Sequence, residues 1–278
     1  MDPHWAGHEV FVVGDIVVAT WGGMMAMGGL AEYCLVQADL ATHKPAQLTA
    51  VEGAALSNSP CHARIAVDEA KLKITDRVLI LNGTGGCGSA LVQLVRDVGV
   101  SLIAATGTDT AFLSSLGVDR PIDYTTENWW ELAEFQTAAN KFDVIFDLAE
   151  GAVGWQRCGS VLKTSWEGGR YYAFLLNEWD IVAKSKLFMV TFAAQVAYRT
   201  LTAAVMSSVN AAPAYTMKLS SPDAGLLSRV CELASTGRLK SVLAGGAAYP
   251  FTTTGAVEAF DLLKSRRTKG KIVIKVAD

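Results

Sequence analysis

The sequence predicts an α/β protein with a doubly wound parallel sheet, to which both chain ends add a smaller β-rich part. From residue 78 onward, short apolar runs alternate with amphipathic segments, which is typical of parallel strands joined by right-handed helical crossovers. Residues 142–148 ("FDVIFDL") are almost continuously apolar, as in a strand buried on both faces. A glycine-rich turn at residues 83–88 lies between an apolar run and an amphipathic segment.

Hydrophobic periodicity and stop signals define the elements of this sheet. The helix after the glycine-rich turn has one apolar face and ends at Gly99. Thr126 is placed to cap a further helix that carries Trp129 and Trp130. Besides the helix after Thr126, the predicted elements are, in chain order, a strand at Val78–Leu81, the helix after the glycine-rich turn at Gly86–Val98, a strand at Leu102–Ala105, a helix at Thr110–Leu116, an extended piece at Pro121–Tyr124, a strand at Phe142–Leu148, a helix through Val161 and the segment Gly168–Leu175.

The two chain ends have a different pattern. Residues 10–40 contain short strand-like runs broken by glycines, without helical periodicity. Near the other end, Ser221 as cap, Pro222 in the first turn and Gly237 as stop predict a helix. A strand near Val242, a helix at Thr254–Lys264 and a closing strand at Lys271–Val276 follow. We therefore predict a central domain at residues 57–212 and a second domain formed by residues 1–56 and 213–278.

Composition excludes several classes of protein. The net charge of −3 and the sequence pI of about 5.8 provide no basic field for nucleic acid. The five cysteines form no CxxC pair, so neither a zinc knuckle nor a disulfide scaffold is predicted, and a reducing, intracellular setting fits best. The most apolar region, Leu187–Val209, contains Arg199 near its middle, which favours a buried helix over a membrane span. No signal peptide is visible, and we expect a cytoplasmic protein, or a mitochondrial one if a targeting segment has been lost.

The glycine-rich turn has the spacing of a dinucleotide cradle. Gly83, Gly85 and Gly88 satisfy GxGxxG directly after a predicted strand and at the start of a helix, where the helix N-terminus attracts a pyrophosphate. Thr84, Gly86 and Cys87 complete the turn. No lysine follows in the P-loop position, which removes the main support for nucleoside triphosphate hydrolysis. The alternative is a glycine-rich turn without a ligand.

The end of the second strand of the sheet bears on the choice of cofactor. Thr106, Gly107 and Thr108 stand about 20 residues after the turn, where an acidic residue would hold the 2′-hydroxyl of NAD. Small polar residues leave room for a 2′-phosphate instead. Asp109 would favour NAD(H) if it turned into the site, whereas it would be neutral to this choice as the cap of the next helix. We expect NADPH rather than NAD(H).

Several blocks together resemble the medium-chain dehydrogenase/reductases, in particular their zinc-free quinone oxidoreductase and enoyl reductase branch. The blocks are "GDIVVATW", "KPAQLTAVEGAALSNS", "RVLILNGTGGCGSALVQLVRDVG", "FDVIFDL" and the closing "GRLKSVL" and "KGKIVI", and the likeness covers nearly the whole chain. The resemblance implies a central Rossmann domain and a GroES-like catalytic domain built from both ends. It also implies NADPH-dependent reduction of a small molecule, a quinone or an alkene conjugated to a carbonyl, in a homodimer that joins sheets edge to edge.

The resemblance assigns further cofactor contacts. It places Tyr124 and either Arg266 or Arg267 near the adenosine phosphate, although the basic cluster Lys264–Lys271 could also be a solvated helix end. Backbone near the nicotinamide would come from two turns after strands, at Leu148 with Ala149 and at Phe174 with Leu175.

The chain also departs from the family pattern. It begins where the family reaches its glycine-aspartate turn, here Gly14-Asp15, so we expect the first strands of the catalytic domain, with an active-site tyrosine, to be missing. The alternative function is therefore a catalytically impaired NADPH-binding protein. His62 replaces a family threonine and is a candidate proton donor, while Asn58 is a candidate for orienting a carbonyl. Cys87 is either a thiol with a lowered pKa or a packed small side chain. Gly7-His8-Glu9 resembles a metal motif out of context, and we expect no bound metal.

Overall fold

A computed structural model of the chain describes residues 11–20, 28–174, 186–210, 212–217 and 222–277. Within the helix at Lys186–Ser208, side chains are described from residue 194 onward. The strands are β1 (Val17–Ala19), β2 (Ala41–His43), β3 (Arg77–Leu81), β4 (Leu102–Thr106), β5 (Arg120–Ile122), β6 (Val144–Asp147), β7 (Arg170–Ala173), β8 (Ala214–Met217), β9 (Tyr249–Pro250) and β10 (Ile274–Lys275). The α-helices are α1 (Ala50–Leu56), α2 (Ser59–Ala70), α3 (Gly88–Val98), α4 (Thr110–Ser115), α5 (Ala152–Arg157), α6 (Lys186–Ser208), α7 (Ala224–Ser235) and α8 (Thr253–Lys264).

The chain divides into two compact units. The first, here called the sheet unit, contains Ala66–Thr84 and Val95–Leu219. The second, here called the end unit, contains Met1–Ile65, Gly85–Leu94 and Ser220–Asp278, so both chain ends contribute to it.

The sheet unit is organised around a six-stranded parallel sheet with the strand order β5-β4-β3-β6-β7-β8. This order confirms the predicted doubly wound, Rossmann-like α/β fold, and its topological switch point lies between β3 and β6. All four residues of β6 are buried, as the apolar run predicted. The sixth strand, β8, pairs with β7 and lies beyond residue 212, where the sequence placed the end of the central domain.

Alternation along the strands builds the core of the sheet unit. Side chains two residues apart point to the same face of a strand, and Leu79 and Leu81 of β3 share one cluster with Ile145 of β6 and Tyr171 of β7. Trp129 is also fully buried in this cluster.

The helix predicted after Thr126 does not form. Residues 124–126 and 129–131 are turns, and the helix-like structure is confined to a short 3-10 segment at Ala133–Phe135. The carboxylate of Asp123 accepts a hydrogen bond from the Thr125 amide at 2.9 Å, which stabilises a turn in place of a helix start. Trp129 is held through its indole N–H, which donates to Glu150 at 2.7 Å. Tertiary contacts here override the local helix signal.

The prediction of a buried helix at Leu187–Val209 is wrong for the described side chains of α6. Tyr198, Leu201 and Val205 are 72%, 66% and 55% exposed, whereas Arg199 is only 8% exposed. The helix packs against β8, and the Arg199 guanidinium lies over the Tyr215 ring at 5.6 Å. The face of α6 that packs against the sheet therefore contains Arg199, and the apolar side chains of Tyr198, Leu201 and Val205 face outward. None of the helices in the described ranges combines the length and apolarity that a membrane crossing needs.

The end unit contains short strands and capped helices. β1 pairs antiparallel with β2, and β9 pairs parallel with β10, so the predicted closing strand is shorter than expected. Helix α7 is capped by Asp223, whose side chain accepts from the Leu226 amide at 2.7 Å. The predicted cap, Ser221, lies outside the described residues. Gly237, with φ of +75°, follows the helix and confirms the predicted stop.

Candidate functional site

In the sheet unit, the start of the glycine-rich turn is held by the end of the neighbouring strand. Asn82, with φ of +68°, leaves β3 in the left-handed region that asparagine tolerates. Its amide donates to the Thr106 hydroxyl at 2.8 Å, and the Gly83 amide donates to the Thr106 carbonyl at 2.9 Å. The Thr84 hydroxyl lies 3.4 Å from the Asn82 side-chain oxygen. Thr106, predicted to approach the cofactor, thus also fixes the turn.

Gly107 occupies a position with no room for a side chain. It is buried, and a Cβ atom there would lie 2.6 Å from Thr84 Cγ2 and 3.2 Å from Leu113 Cδ1. A larger residue at this position would have to displace the Thr84 side chain. Asp109 caps α4, with its side chain accepting from the Phe112 amide at 2.9 Å, which confirms the capping interpretation of this acid. Thr108, between them, is exposed.

The other predicted contacts of the sheet unit follow the carboxyl ends of strands. Leu148 is buried, and its amide donates to the Leu81 carbonyl of β3 at 3.2 Å, across the switch point. The Ala149 amide donates to Asp147 at 2.9 Å, and the Phe174 amide to the Asp147 carbonyl at 3.0 Å. Tyr124 follows β5 and is 52% exposed. Leu175 lies outside the described residues.

Sequence reasoning missed the buried carboxylate that shapes the turn after β6. Asp147 is fully buried and accepts hydrogen bonds from the amides of Ala149 and Glu150 and, at 2.7 Å, from the Tyr171 hydroxyl. Burial raises the pKa of Asp147. An aspartate that ends an otherwise apolar strand was the available signal, as was Asn82 directly before the first glycine.

In the end unit, the second part of the turn packs against the segment before β10. Gly85 pairs with Gly270 in an isolated parallel bridge. A Cβ atom at Gly86 would lie 2.6 Å from Lys271 Cδ and 3.1 Å from the Gly270 carbonyl oxygen, so a larger residue would have to displace the Lys271 side chain. Helix α3 begins at Gly88, and the Cys87 carbonyl accepts from the Leu91 amide at 2.9 Å.

Lys271 connects this turn to α2. Its ammonium donates to the Ser59 hydroxyl at 2.9 Å, and it interacts electrostatically with His62 and Cys87. Desolvation lowers the pKa of His62, and Lys271 lowers it further, so His62 is predominantly neutral at pH 7. Burial raises the pKa of Cys87 to about 12. The alternative of a reactive Cys87 thiolate is therefore wrong, because desolvation outweighs any effect of the helix terminus.

The remaining candidates of the end unit are placed separately. Asn58 is exposed, and its backbone carbonyl accepts from the His62 amide at 3.1 Å. Arg266 and Arg267 are both exposed just after α8, and Arg266 has φ of +58°. The described ranges contain no group of three histidine, cysteine or acidic side chains able to hold a metal ion. His8 lies outside those ranges.

The described residues fit a dinucleotide. A parallel sheet with a switch point between β3 and β6 is where doubly wound proteins bind nucleotides, at the carboxyl ends of the strands. The turn after β3 leads into the N-terminus of an 11-residue helix, which favours an anion.

Comparison with known proteins gives consistent matches. Residues 116–274, more than half of the chain, match the family model for zinc-binding dehydrogenases. The 2-methylene-furan-3-one reductase of Solanum lycopersicum is 29% identical over 272 residues, which are 96% of this chain and 57% of that protein. The chloroplastic NADPH-dependent alkenal/one oxidoreductase of Arabidopsis thaliana is 28% identical over 96% of this chain and 58% of its own length. The chain thus spans little more than half the length of these relatives.

Solved structures share the fold. The quinone oxidoreductase of Escherichia coli, crystallised with NADPH, superposes with a TM-score of 0.73 at 19% identity, covering 98% of this chain and 78% of that one. The quinone oxidoreductase of Coxiella burnetii gives a TM-score of 0.66 at 23% identity, covering 87% of this chain and 66% of that one.

Proposed function

This chain belongs to the zinc-binding dehydrogenase family, in the quinone oxidoreductase and enoyl reductase branch of the medium-chain dehydrogenase/reductases, and from that membership we propose an NADPH-dependent oxidoreductase. Its substrate would be a quinone or an alkene conjugated to a carbonyl. The reaction would be hydride transfer without zinc. One observation carries the proposal above all: a GxGxxG turn leaves β3 at the switch point of a six-stranded parallel sheet.

The choice of NADPH rests on Gly107. The crowding by Thr84 and Leu113 denies this position the carboxylate that binds the ribose hydroxyl of NAD, and Asp109 is engaged as a helix cap. Tyr124, Arg266 and Arg267 are exposed, as a contact to a 2′-phosphate requires. Either Arg266 or Arg267 would make this contact.

The chemistry would divide between cofactor and protein. The reduced nicotinamide supplies the hydride when bound. The chain supplies the anion-binding turn and the backbone at Leu148, held by the Leu81 carbonyl, and at Ala149, held by Asp147. His62 is the proposed proton donor to the reduced substrate. The donor would be the imidazolium form, which is the minor form at pH 7 because the pKa of His62 is lowered; after it gives its proton to the reduced substrate, the neutral imidazole would take up a proton from solvent.

Binding and turnover can be tested separately. We expect NADPH to bind more tightly than NADH in fluorescence titrations, and quinones or enones to accelerate NADPH oxidation after dialysis against a chelator. Gly86→Ala should weaken NADPH binding because its Cβ would meet Lys271, whereas Gly159→Ala, at an exposed glycine with no atom within 4 Å of the added Cβ, should bind normally. Failure to bind either dinucleotide overturns the proposal. Binding without turnover across the panel identifies a non-catalytic NADPH-binding protein.

We also propose a homodimer formed at the β8 edge of the sheet. β8 is the last strand of the described sheet order, and the apolar stripe of the adjacent α6 is exposed. Unpaired strand edges and outward apolar stripes are features that association covers.

A further inference from the structure

The Arg199 side chain is buried between α6 and β8 of the sheet unit and leaves most of its hydrogen-bonding capacity unused. It is 8% exposed. Its Nε and Nη1 atoms, which carry three N–H groups between them, are buried and have no hydrogen-bond partner in the part of the chain that the structure describes. The Nη2 atom donates to the Met217 sulfur at 3.8 Å, and a thioether is a weak acceptor. None of the ion pairs found within the described ranges includes Arg199.

Tyr215 places a second unpaired polar group beside the guanidinium. The Arg199 Cζ atom lies 5.6 Å from the centroid of the Tyr215 ring, and the Tyr215 hydroxyl oxygen is buried without a partner among the described residues. Two further rings pack on Tyr215: the Trp155 ring edge-on at 4.8 Å and the Tyr171 ring stacked at 6.0 Å, both between centroids. One positive charge and one hydroxyl are thus enclosed by aromatic side chains.

This arrangement is unfavourable for the protein alone. The guanidinium stays protonated inside a protein, and a buried charge without a counter-ion is strongly destabilising. The cation–π contact with Tyr215 offsets only part of this cost, because the buried N–H groups still lack acceptors. The groups that would complete the site are therefore acceptor oxygens with a negative charge.

We propose that Arg199 and Tyr215 form a binding site for an organic carboxylate. A carboxylate presents two acceptor oxygens in a plane, which suits the guanidinium N–H groups. Its single negative charge matches one arginine, whereas a phosphate group carries about two negative charges at pH 7. The aromatic surroundings favour a flat, apolar body attached to the carboxylate. The site lies at β8, three strands away from β3 in the sheet order. The inference goes beyond the proposed dinucleotide function and does not depend on it.

The test titrates the intact chain with benzoate by calorimetry. Wild-type protein should bind benzoate at least about tenfold more tightly than benzamide, a neutral analogue of the same shape. Equally tight binding of inorganic phosphate would indicate a general anion site and overturn the choice of a carboxylate. The rival explanation is that an acidic side chain of this chain outside the described ranges already pairs with Arg199. In that case benzoate would not bind, and the proposal would be wrong.

Variants assign the binding to these two side chains. Arg199→Met should weaken benzoate binding about a hundredfold, and Tyr215→Phe about tenfold. Tyr215→Phe should not lower the melting temperature of the unliganded protein, because the hydroxyl that it removes has no partner there. Unchanged benzoate affinity in either variant overturns the proposal. If Arg199→Met fails to fold, Tyr215→Phe still decides the question.

Arg157 offers a matched control in the same unit. Its Cζ atom lies 3.9 Å from the centroid of the Trp130 ring, so it is also an arginine over an aromatic ring, but Glu150 partners its charge at 3.5 Å. Arg157→Met should therefore bind benzoate like the wild type. Weakening equal to that of Arg199→Met would show a general effect of charge and contradict the site.

Two further measurements locate the ligand. Saturating NADPH should leave the benzoate affinity unchanged, and competition would place benzoate in the dinucleotide site instead. Because Arg199 Nε and Nη1 are buried, benzoate can reach them only when α6 and β8 move apart. Stopped-flow fluorescence should therefore give an association rate constant below about 10⁵ M⁻¹s⁻¹. Association near the diffusion limit would identify an exposed site and overturn the assignment to Arg199.

Discussion

The absence of a side chain at Gly107 links cofactor choice to local packing. The position is buried at the end of β4, and its amide donates to the Ile122 carbonyl at 3.0 Å. The nearest obstacle to a larger residue is the Thr84 methyl group, 2.6 Å from an added Cβ atom. Since Thr84 belongs to the glycine-rich turn, the cradle itself excludes a side chain from the position where NAD-binding proteins place an acid.

We therefore expect Gly107→Ala to lower the free energy of unfolding by about 1–3 kcal/mol through overpacking. Combining it with Thr84→Ser, which removes the obstructing methyl group, should recover most of that loss, because the two positions are in contact. Urea unfolding of the wild type, both single variants and the double variant gives the coupling energy. A Gly107→Ala variant as stable as Gly159→Ala would show that the turn yields readily and that space does not exclude an acid.

Among the elements, α6 has the most unusual distribution of side chains. Ala203, 2% exposed, and Arg199 face the sheet, while Leu201 is 66% exposed. Arg199 Nε and Nη1 have no hydrogen-bond partner within the described ranges, and its guanidinium rests on the Tyr215 ring. Packing of α6 on β8 therefore depends on a small residue and a cation–π contact.

This orientation of α6 predicts opposite effects for two neighbouring positions. Ala203→Leu should cost about 1–3 kcal/mol of unfolding free energy, because a larger side chain must enter a packed contact. Leu201→Ala should change it by no more than about 0.5 kcal/mol. Chemical denaturation at low protein concentration measures the unfolding free energies of these variants without a contribution from association. The reverse ranking would mean that α6 presents its other face to β8.

The elements predicted correctly from sequence are those whose local signals agree with their tertiary surroundings. β3, β4 and β6 are buried apolar runs with only small boundary errors, and the glycine stop after α3 lies at Gly99. The prediction of a helix after Thr126 failed because Trp129 is buried and bonded to Glu150, which lies 21 positions further along the chain. The exposure of one face of α6 could not be predicted from the sequence either, because hydrophobic periodicity does not show what an apolar stripe packs against.

At the scale of the whole molecule, sequence order predicted the sheet but not the groups that complete the cradle. Alternating strands and helices determine a doubly wound topology because crossovers are right-handed. By contrast, Lys271 lies 185 positions after Gly86 in the chain, and no local pattern marks their contact. Asp147 was missed for a related reason: its partner Tyr171 lies on the adjacent strand β7.

The proposed dimer can be tested through the backbone hydrogen bonds of β8, because they show which of its amides face away from β7. The Ala214 amide donates to the Gly169 carbonyl, so amides of alternate residues, Ala214 and Thr216, face β7, and those of Tyr215 and Met217 face outward. Met217→Pro should abolish outward pairing and give monomers while the sheet persists. Thr216→Pro should instead lower the melting temperature, because it removes a bond to β7. Sedimentation velocity reports the first effect and thermal unfolding the second. A wild-type protein that stays monomeric excludes the dimer. A Met217→Pro variant that dimerises with unchanged association affinity shows that the dimer does not form at the β8 edge.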